Sequence, residues 1–165
     1  MFPLILLGSF GIDYVTKLIV SRSMELGQEI PVLGRLLSLN YVVNYGAAYN
    51  LMENSSWVLV PVTAAMIAVM IWYYRGHRDE FSALEKSSFA MILGGGAGNL
   101  FSRLTAGYVV DFIDIHIIPV FNAADIFICC GCALMLICEF FPRAGRAAGR
   151  AEGGPGEEDT SDERS

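Results

Sequence analysis

The stretch Val109–Asp125, VVDFIDIHIIPVFNAAD, places three carboxylates in an otherwise apolar run. Asp111 and Asp114 lie in its first half, and Asp125 closes it, directly before a long hydrophobic segment. Two carboxylates held close together can share one proton, so that one acts as a base on water while the other donates a hydrogen bond. A structural interpretation is also open, because Asn122 followed three residues later by Asp125 is typical of a helix N-cap.

The composition indicates a membrane protein. Of the 165 residues, 54% are hydrophobic and only 17% are charged, and the mean hydropathy is +0.48. The net charge of −6 belongs largely to the residues after Ala151, where six acids stand against one base. The remaining chain has no basic stripe with interleaved aromatic residues, so we expect no nucleic-acid partner.

Four apolar segments of membrane-spanning length organise the chain: Phe2–Val20, Trp57–Tyr74, Ser87–Leu104 and Phe121–Phe141. Aromatic residues at both ends of the second segment are typical of interfacial anchors. Between the segments, alternating apolar residues over Leu37–Tyr45 and Val109–Ile118 predict strands. We therefore predict an all-α membrane protein with four transmembrane helices and a small extracytoplasmic β-sheet. Its domain covers residues 1–142, and the low-complexity residues 143–165 form a disordered cytoplasmic tail.

Basic residues concentrate on one side of the predicted membrane domain: Arg75, Arg78, Lys86, Arg143, Arg146 and Arg150, against Arg22 and Arg35 on the other. The positive-inside rule then puts both termini in the cytoplasm. Polar residues of the first, third and fourth segments consequently lie together toward the outer leaflet: Asp13, Lys17, Asn99, Arg103, Asn122 and Asp125.

Several of these positions have a structural interpretation beside the functional one. Asp13 and Lys17 are four residues apart and could simply neutralise each other on one helix face, although ionisable residues inside membranes favour a function. The small residues of Asn44–Ala48 suit a groove for an extended peptide, but they suit an ordinary turn as well.

Other small residues in the apolar segments predict packing rather than chemistry. Gly94 and Gly98 form a pair that lets two helices approach closely. All four cysteines lie in the last segment, where a disulfide is geometrically excluded between neighbours on one helix: Cys129, Cys130, Cys132 and Cys138. We interpret them as small apolar side chains, and we expect neither a metal nor a cofactor.

Five motifs, in this order, resemble those of the signal peptidase II (lipoprotein signal peptidase) family of bacterial inner-membrane aspartyl proteases. They are Asp13-x-x-x-Lys17, Asn44-x-Gly46-Ala47-Ala48, Gly95-Gly96-Ala97-Gly98-Asn99 with Arg103, Val110-Asp111-Phe112, and Phe121-Asn122-Ala123-Ala124-Asp125. The resemblance implies four transmembrane helices, a small extracytoplasmic sheet that cradles the substrate, and Asp111 and Asp125 as catalytic residues. It implies that seven further residues line or support the site: Asp13, Lys17, Asn44, Gly46, Asn99, Arg103 and Asn122.

The same resemblance implies the substrates and the location. Substrates would be prolipoproteins already diacylglycerylated on a lipobox cysteine, cleaved just before that cysteine by a water that the two aspartates activate. The protein would lie in the bacterial inner membrane, in contact with membrane lipids, with its active site at the outer leaflet, and we expect a monomer.

The chain departs from the family pattern at two places. Ser102 stands before Arg103, where the family commonly has an acid, which argues against a need for that acid in the chemistry. The acidic tail has no counterpart in the pattern. Two rival functions follow from the residues alone: a proton-coupled transporter that uses the intramembrane charges, and a protease that cuts within a membrane helix.

Overall fold

The computed structural model describes residues 1–46 and 56–141, without the side chains of residues 56 and 57. Within these residues it has four helices: α1 (Phe2–Ser23), α2 (Ser56–His77), α3 (Ala83–Ala106) and α4 (Ala123–Phe140). It also has three strands: β1 (Glu29–Pro31), β2 (Ser38–Asn44) and β3 (Val109–Asp114). The predicted tail, the Ala47-Ala48 part of the second motif and the aromatic anchor at Trp57 lie outside this description.

Three of the described helices, α1, α2 and α4, are long and apolar enough to cross a membrane. Their apolar side chains are largely exposed, as on Leu4 and Leu7, which are 76% and 64% exposed. Such surfaces suit hydrocarbon rather than water. The third predicted segment is a helix as well, but α3 is less apolar than the other three and contacts each of them. The chain is therefore a mostly helical membrane protein with α3 at the centre of its bundle.

Local sequence signals define where α3 begins and ends. Ser82 caps its first turn in a reciprocal arrangement with Glu85, whose carboxylate accepts the Ser82 backbone N–H at 2.8 Å. At the other end, Gly107 adopts a φ of 82°, the left-handed conformation in which glycine commonly terminates a helix.

Glycines allow α3 to lie directly against α1. A β-carbon at Gly94 would stand 2.6 Å from the backbone oxygen of Leu6, and one at Gly98 would overlap the carboxylate of Asp13. The prediction that Gly94 and Gly98 form a close-packing pair is thus confirmed. Their absent side chains bring the polar residues of α1 and α3 within hydrogen-bonding range.

The sheet is antiparallel, in the order β1-β2-β3, and packs on the C-terminal end of α1. Its core consists of Val20 from α1 together with Tyr41, Val110 and Phe112. A bulge interrupts the β2–β3 pairing, because Leu39 pairs with Ile113 but Val42 pairs with Asp111. Bulges of this kind redirect side chains, and here Asp111 lies beside the irregularity.

Two features of the sheet differ from the sequence prediction. Strand β3 ends at Asp114 instead of Ile118, because the Asp114 carboxylate accepts the backbone N–H of His116 at 2.8 Å and His116 turns to a φ of 60°. The edge strand β1 was not predicted, since Glu29–Pro31 is exposed throughout and has no apolar alternation.

Gly95→Ala is expected to destabilise the bundle by about 1–3 kcal/mol, because its methyl group would meet the Ala124 backbone oxygen at 2.5 Å. The matched control is Gly11→Ala on α1, where no atom lies within 4 Å and alanine favours the helix. Thermal unfolding in detergent measures both variants. Equal midpoints for the two would contradict the close contact between α3 and α4.

Candidate active site

The structure gathers the predicted site residues around the start of α4. Hydrogen bonds join eight of them into one continuous network: Asp13, Lys17, Asn44, Gly46, Asn99, Asp111, Asn122 and Asp125. The ninth, Arg103, is linked to it through a long contact of 3.5 Å from Nη1 to the backbone oxygen of Asn99.

Asn122 forms hydrogen bonds with both predicted catalytic residues, Asp111 and Asp125. It is the N-cap of α4: its side-chain oxygen accepts the Asp125 backbone N–H, and its own backbone N–H donates to Asp125 Oδ2, each at 3.1 Å. Its side-chain nitrogen donates to Asp111 Oδ1 at 2.6 Å. The predicted cap is therefore present, and it holds Asp125 next to Asp111.

The capping and catalytic interpretations of Asp125 are compatible. Its Oδ2 completes the capping arrangement, whereas its Oδ1 accepts a hydrogen bond of 2.9 Å from the side chain of Asn99. The two oxygens of Asp111 likewise have separate donors, since Oδ2 accepts from Asn44 Nδ2 at 2.9 Å. Asn44 is oriented in turn by the backbone N–H of Gly46, which donates to its Oδ1 at 3.0 Å.

Asp13 and Lys17 form the ion pair that their spacing suggests, but they also connect three helices. The Lys17 ammonium lies 2.7 Å from Asp13 Oδ2, and both residues are buried. Asp13 Oδ1 accepts the backbone N–H of Ala124 at 2.9 Å, so α1 supplies a second acceptor to the first turn of α4. Lys17 donates to Asn99 Oδ1 on α3 at 2.8 Å.

These contacts fix the direction of the Asn99 amide. An ammonium group only donates, so the Asn99 atom that faces Lys17 is the carbonyl oxygen. Asn122 Nδ2 donates to the same oxygen at 3.1 Å. The NH₂ group of Asn99 is consequently turned toward Asp125.

Arg103 has an incomplete set of partners. Its Nε is buried and has no hydrogen-bond partner among the residues that the structure describes. Burial of an unpaired guanidinium donor is costly, so a group that fills the site could accept this hydrogen bond.

Ser102 stands where the family pattern commonly has an acid. Its hydroxyl donates to the Gly98 backbone oxygen at 3.0 Å and lies 3.5 Å from the Lys17 ammonium.

The pKa values of Asp111 and its neighbour Asp114 are shifted in opposite directions by their surroundings. Burial raises the pKa of Asp111 to about 6, although the hydrogen bonds from Asn44 and Asn122 act in the opposite direction. The pKa of Asp114 is lowered instead, chiefly by the hydrogen bond from Asn40.

Asp114 belongs to a second network that the sequence analysis missed. In it, the Asp114 carboxylate accepts a hydrogen bond from Asn40 at 3.0 Å, and His116 contacts Ser38 at 3.2 Å. The Asp-x-His spacing of the turn was the one available signal for it.

Within residues 1–46 and 56–141, no cluster of three or more His, Cys, Asp or Glu side chains could hold a metal ion. The four cysteines are free thiols on α4, three of them exposed.

Comparison with known proteins gives a consistent result. The family described as Signal peptidase (SPase) II matches residues 5–141. The lipoprotein signal peptidase of Caldicellulosiruptor bescii is 40% identical over 134 residues, which cover 80% of this chain and 85% of that protein. The lipoprotein signal peptidase of Moorella thermoacetica is 38% identical over 134 residues, covering 81% and 89%.

Solved structures agree on the fold. A bacterial membrane enzyme determined by the in meso method aligns with a TM-score of 0.77 and 25% identity, covering 86% of this chain and 93% of the other. A second such enzyme aligns with a TM-score of 0.75 and 24% identity, covering 96% and 93%.

Asp13→Ala is expected to destabilise the protein by about 3–5 kcal/mol, because it leaves the Lys17 ammonium buried without its counter-ion. The control is Asp79→Ala, which breaks the Arg78–Asp79 contact, where the side chains are 66% and 91% exposed, and which should not change the unfolding midpoint measurably. Thermal unfolding of the detergent-purified variants distinguishes the two. A stable Asp13→Ala protein would mean that Lys17 finds another partner.

Proposed function

The chain belongs to the signal peptidase II family, and we propose that Asp111 and Asp125 are its catalytic pair. As a member of that family it is an aspartic protease that removes signal peptides from prolipoproteins. The finer proposal is that substrates carry a diacylglyceryl group on the lipobox cysteine and are cleaved directly before it. Membership of this family argues against the rival hypothesis of a proton-coupled transporter. A protease that cuts within a membrane helix is disfavoured too, since Asp111 lies on a strand.

The charge of the cluster, in which Asp13, Lys17 and Asp111 are buried and Arg103 and Asp125 half-buried, is the observation that supports a shared proton. Three carboxyl groups (Asp13, Asp111 and Asp125) interact there with two cations (Lys17 and Arg103). Full ionisation would leave one uncompensated negative charge in a region of low dielectric constant, which is costly. One proton removes it. Since the Asp13 carboxylate already has an ammonium at 2.7 Å, we assign that proton to the pair of Asp111 and Asp125.

The pair can hydrolyse a peptide bond without a covalent enzyme intermediate. The ionised carboxyl accepts a proton as a water oxygen attacks the scissile carbonyl carbon, and the protonated carboxyl donates to the carbonyl oxygen. Collapse of the resulting diol breaks the C–N bond, and the leaving nitrogen takes up a proton from the pair. The donors from Asn44, Asn99 and Asn122 keep both carboxyls in place during these transfers.

Arg103 is proposed to bind a backbone carbonyl or the phosphate of a neighbouring membrane lipid. Its Nε is buried and has no hydrogen-bond partner within residues 1–46 and 56–141, and its contact to Asn99 is long. The planar guanidinium can therefore donate to a carbonyl or a phosphate oxygen. Lysine offers no such fork.

We also propose that α3 spans the membrane, which makes four spanning helices. Its 24 residues give a length of about 36 Å at about 1.5 Å per residue, sufficient for the hydrocarbon core. Its charged residues lie near its two ends: Glu85, Lys86 and Arg103. Arg75 at the end of α2, Arg78 in the loop and Lys86 at the start of α3 support cytoplasmic termini and an active site at the outer leaflet of the inner membrane. We also propose that the protein is a monomer and that it is in direct contact with membrane lipids.

Asp111→Asn and Asp125→Asn are each expected to lower turnover roughly 10²–10⁴-fold, because an amide cannot accept the proton of water. Both variants should remain folded, since asparagine keeps the size of the side chain and, at position 125, its side-chain oxygen can still accept the backbone N–H of Asn122. The measurement is cleavage of a diacylated lipobox peptide, with thermal unfolding recorded in parallel.

The matched control for these variants is Asp114→Asn, in the separate network with Asn40. It should retain most of its activity. Near wild-type cleavage by Asp125→Asn would restrict that residue to the helix cap and refute the aspartyl pair proposed here.

Arg103→Lys is expected to lower kcat/KM by at least about tenfold, because lysine cannot reproduce the donors of the guanidinium. The same peptide assay and the unfolding midpoint measure the effect. Unchanged kinetics would mean that Arg103 does not bind a ligand and only places its charge at the membrane interface.

A further inference from the structure

Five large apolar side chains are exposed at one end of the sheet. Val32, Leu33 and Leu36 lie in the loop between β1 and β2, with exposed fractions of 52%, 61% and 72%. Ile117 and Ile118 follow β3 and are 84% and 51% exposed. Exposed apolar clusters of this kind mark interaction surfaces. We call these five residues the apolar sheet end.

The two loops that carry these residues lie beyond the same end of the sheet. Ser38, the first residue of β2, pairs with Asp114, the last residue of β3. The loop before Ser38 and the loop after Asp114 therefore leave the sheet side by side. His116 reinforces this arrangement, because its ring contacts Ser38 Oγ at 3.2 Å while its backbone N–H donates to Asp114.

The pairing of β3 places this end of the sheet close to the ends of the membrane helices. Strand β3 starts at Val109, two residues after the glycine that caps α3. Its residue Ile113 pairs with Phe121, two residues before α4 begins. The strand thus runs across the ends of α3 and α4 rather than away from them, and the apolar sheet end lies just beyond Ile113.

We propose that the apolar sheet end inserts into the interfacial layer of the lipid bilayer. A lipid surface is the occupant that the surroundings favour. Exposed residues follow one another along the chain from the lipid-facing side of α1, where Val15 and Ile19 are 49% and 56% exposed, through Leu26 and the exposed strand β1 to the β1–β2 loop. The same loop carries Arg35, which is exposed and can contact lipid phosphates as the apolar side chains enter between the headgroups.

Insertion would fix the depth of the site relative to the substrate. The sheet contributes Asp111 and Asn44, so anchoring its free end holds the carboxyl pair level with the headgroup layer in which a diacylglyceryl group resides. This consequence rests on the proposed catalytic pair and the proposed outer-leaflet placement, whereas the insertion itself requires only that the sheet lies at a membrane surface.

Tryptophan fluorescence tests the insertion without turnover, so its result is independent of the catalytic proposal. The two native tryptophans are replaced in a Trp57→Phe/Trp72→Phe background, and Leu36→Trp becomes the reporter. The full chain is reconstituted in vesicles of phosphatidylcholine and phosphatidylglycerol that carry bromine at shallow acyl positions. Native Trp72 alone, 74% exposed on α2, is the membrane reference, and Asp79→Trp in the α2–α3 loop is the water reference.

Lipid bromine is expected to quench the Leu36→Trp emission as strongly as that of Trp72, with aqueous iodide having little effect. Quenching by iodide but not by bromine, as at Asp79→Trp, would overturn the proposal. Quenching by neither would also overturn it, because the surface would then be covered by protein, such as a second copy of the chain.

As a second readout, Leu33→Ser/Leu36→Ser should raise KM several-fold for a diacylated peptide in vesicles and leave kcat unchanged. An unchanged KM would contradict the proposal that insertion fixes the depth of the site relative to the substrate.

Discussion

The hydrogen bonds of Asn122 are the interaction on which the site depends. Its backbone N–H and side-chain oxygen bind Asp125 within the first turn of α4, and its side-chain nitrogen binds Asp111 on β3. Helix geometry fixes the first two contacts, so the Asp125 carboxylate cannot turn away without uncapping the helix. The relative position of the two carboxyls is therefore determined by the N-cap of α4 and by its contact with β3.

The second requirement is the close approach of α1, α3 and α4. With glycine at position 98, the Asp13 carboxylate fits against the backbone of α3, and Asn99 then reaches Lys17 on one side and Asp125 on the other. Polar groups in hydrocarbon must find their partners within the protein. The network that orients the carboxyls thus also makes it possible to bury these charges between the helices.

Much of this arrangement could be predicted from the sequence. Hydropathy located all four helices of the described residues, because apolar length is the property a bilayer selects, and the family resemblance supplied the site positions. The sequence could not show that Lys17 meets Asn99, 82 residues away, since that contact arises only when helices pack. Capping and proton transfer were considered as alternatives for Asp125, whereas the structure assigns one carboxylate oxygen to the cap and directs the other toward Asn99. The end of β3 was misjudged because the apolar alternation continues past Asp114, and only a side-chain hydrogen bond to His116 stops it.

The saturation of the network has a consequence for inhibitor resistance. Each carboxylate oxygen of Asp111 and Asp125 already accepts a hydrogen bond from an asparagine, and Asn99 and Asn122 each serve more than one partner. A single substitution in this group leaves at least one buried polar atom unsatisfied, so escape mutations there carry a cost to the enzyme itself. A compound that binds the carboxyl pair and Arg103 would select for changes elsewhere, on the lipid-facing surfaces or in the loops. Contacts confined to those surfaces would be lost far more readily under selection.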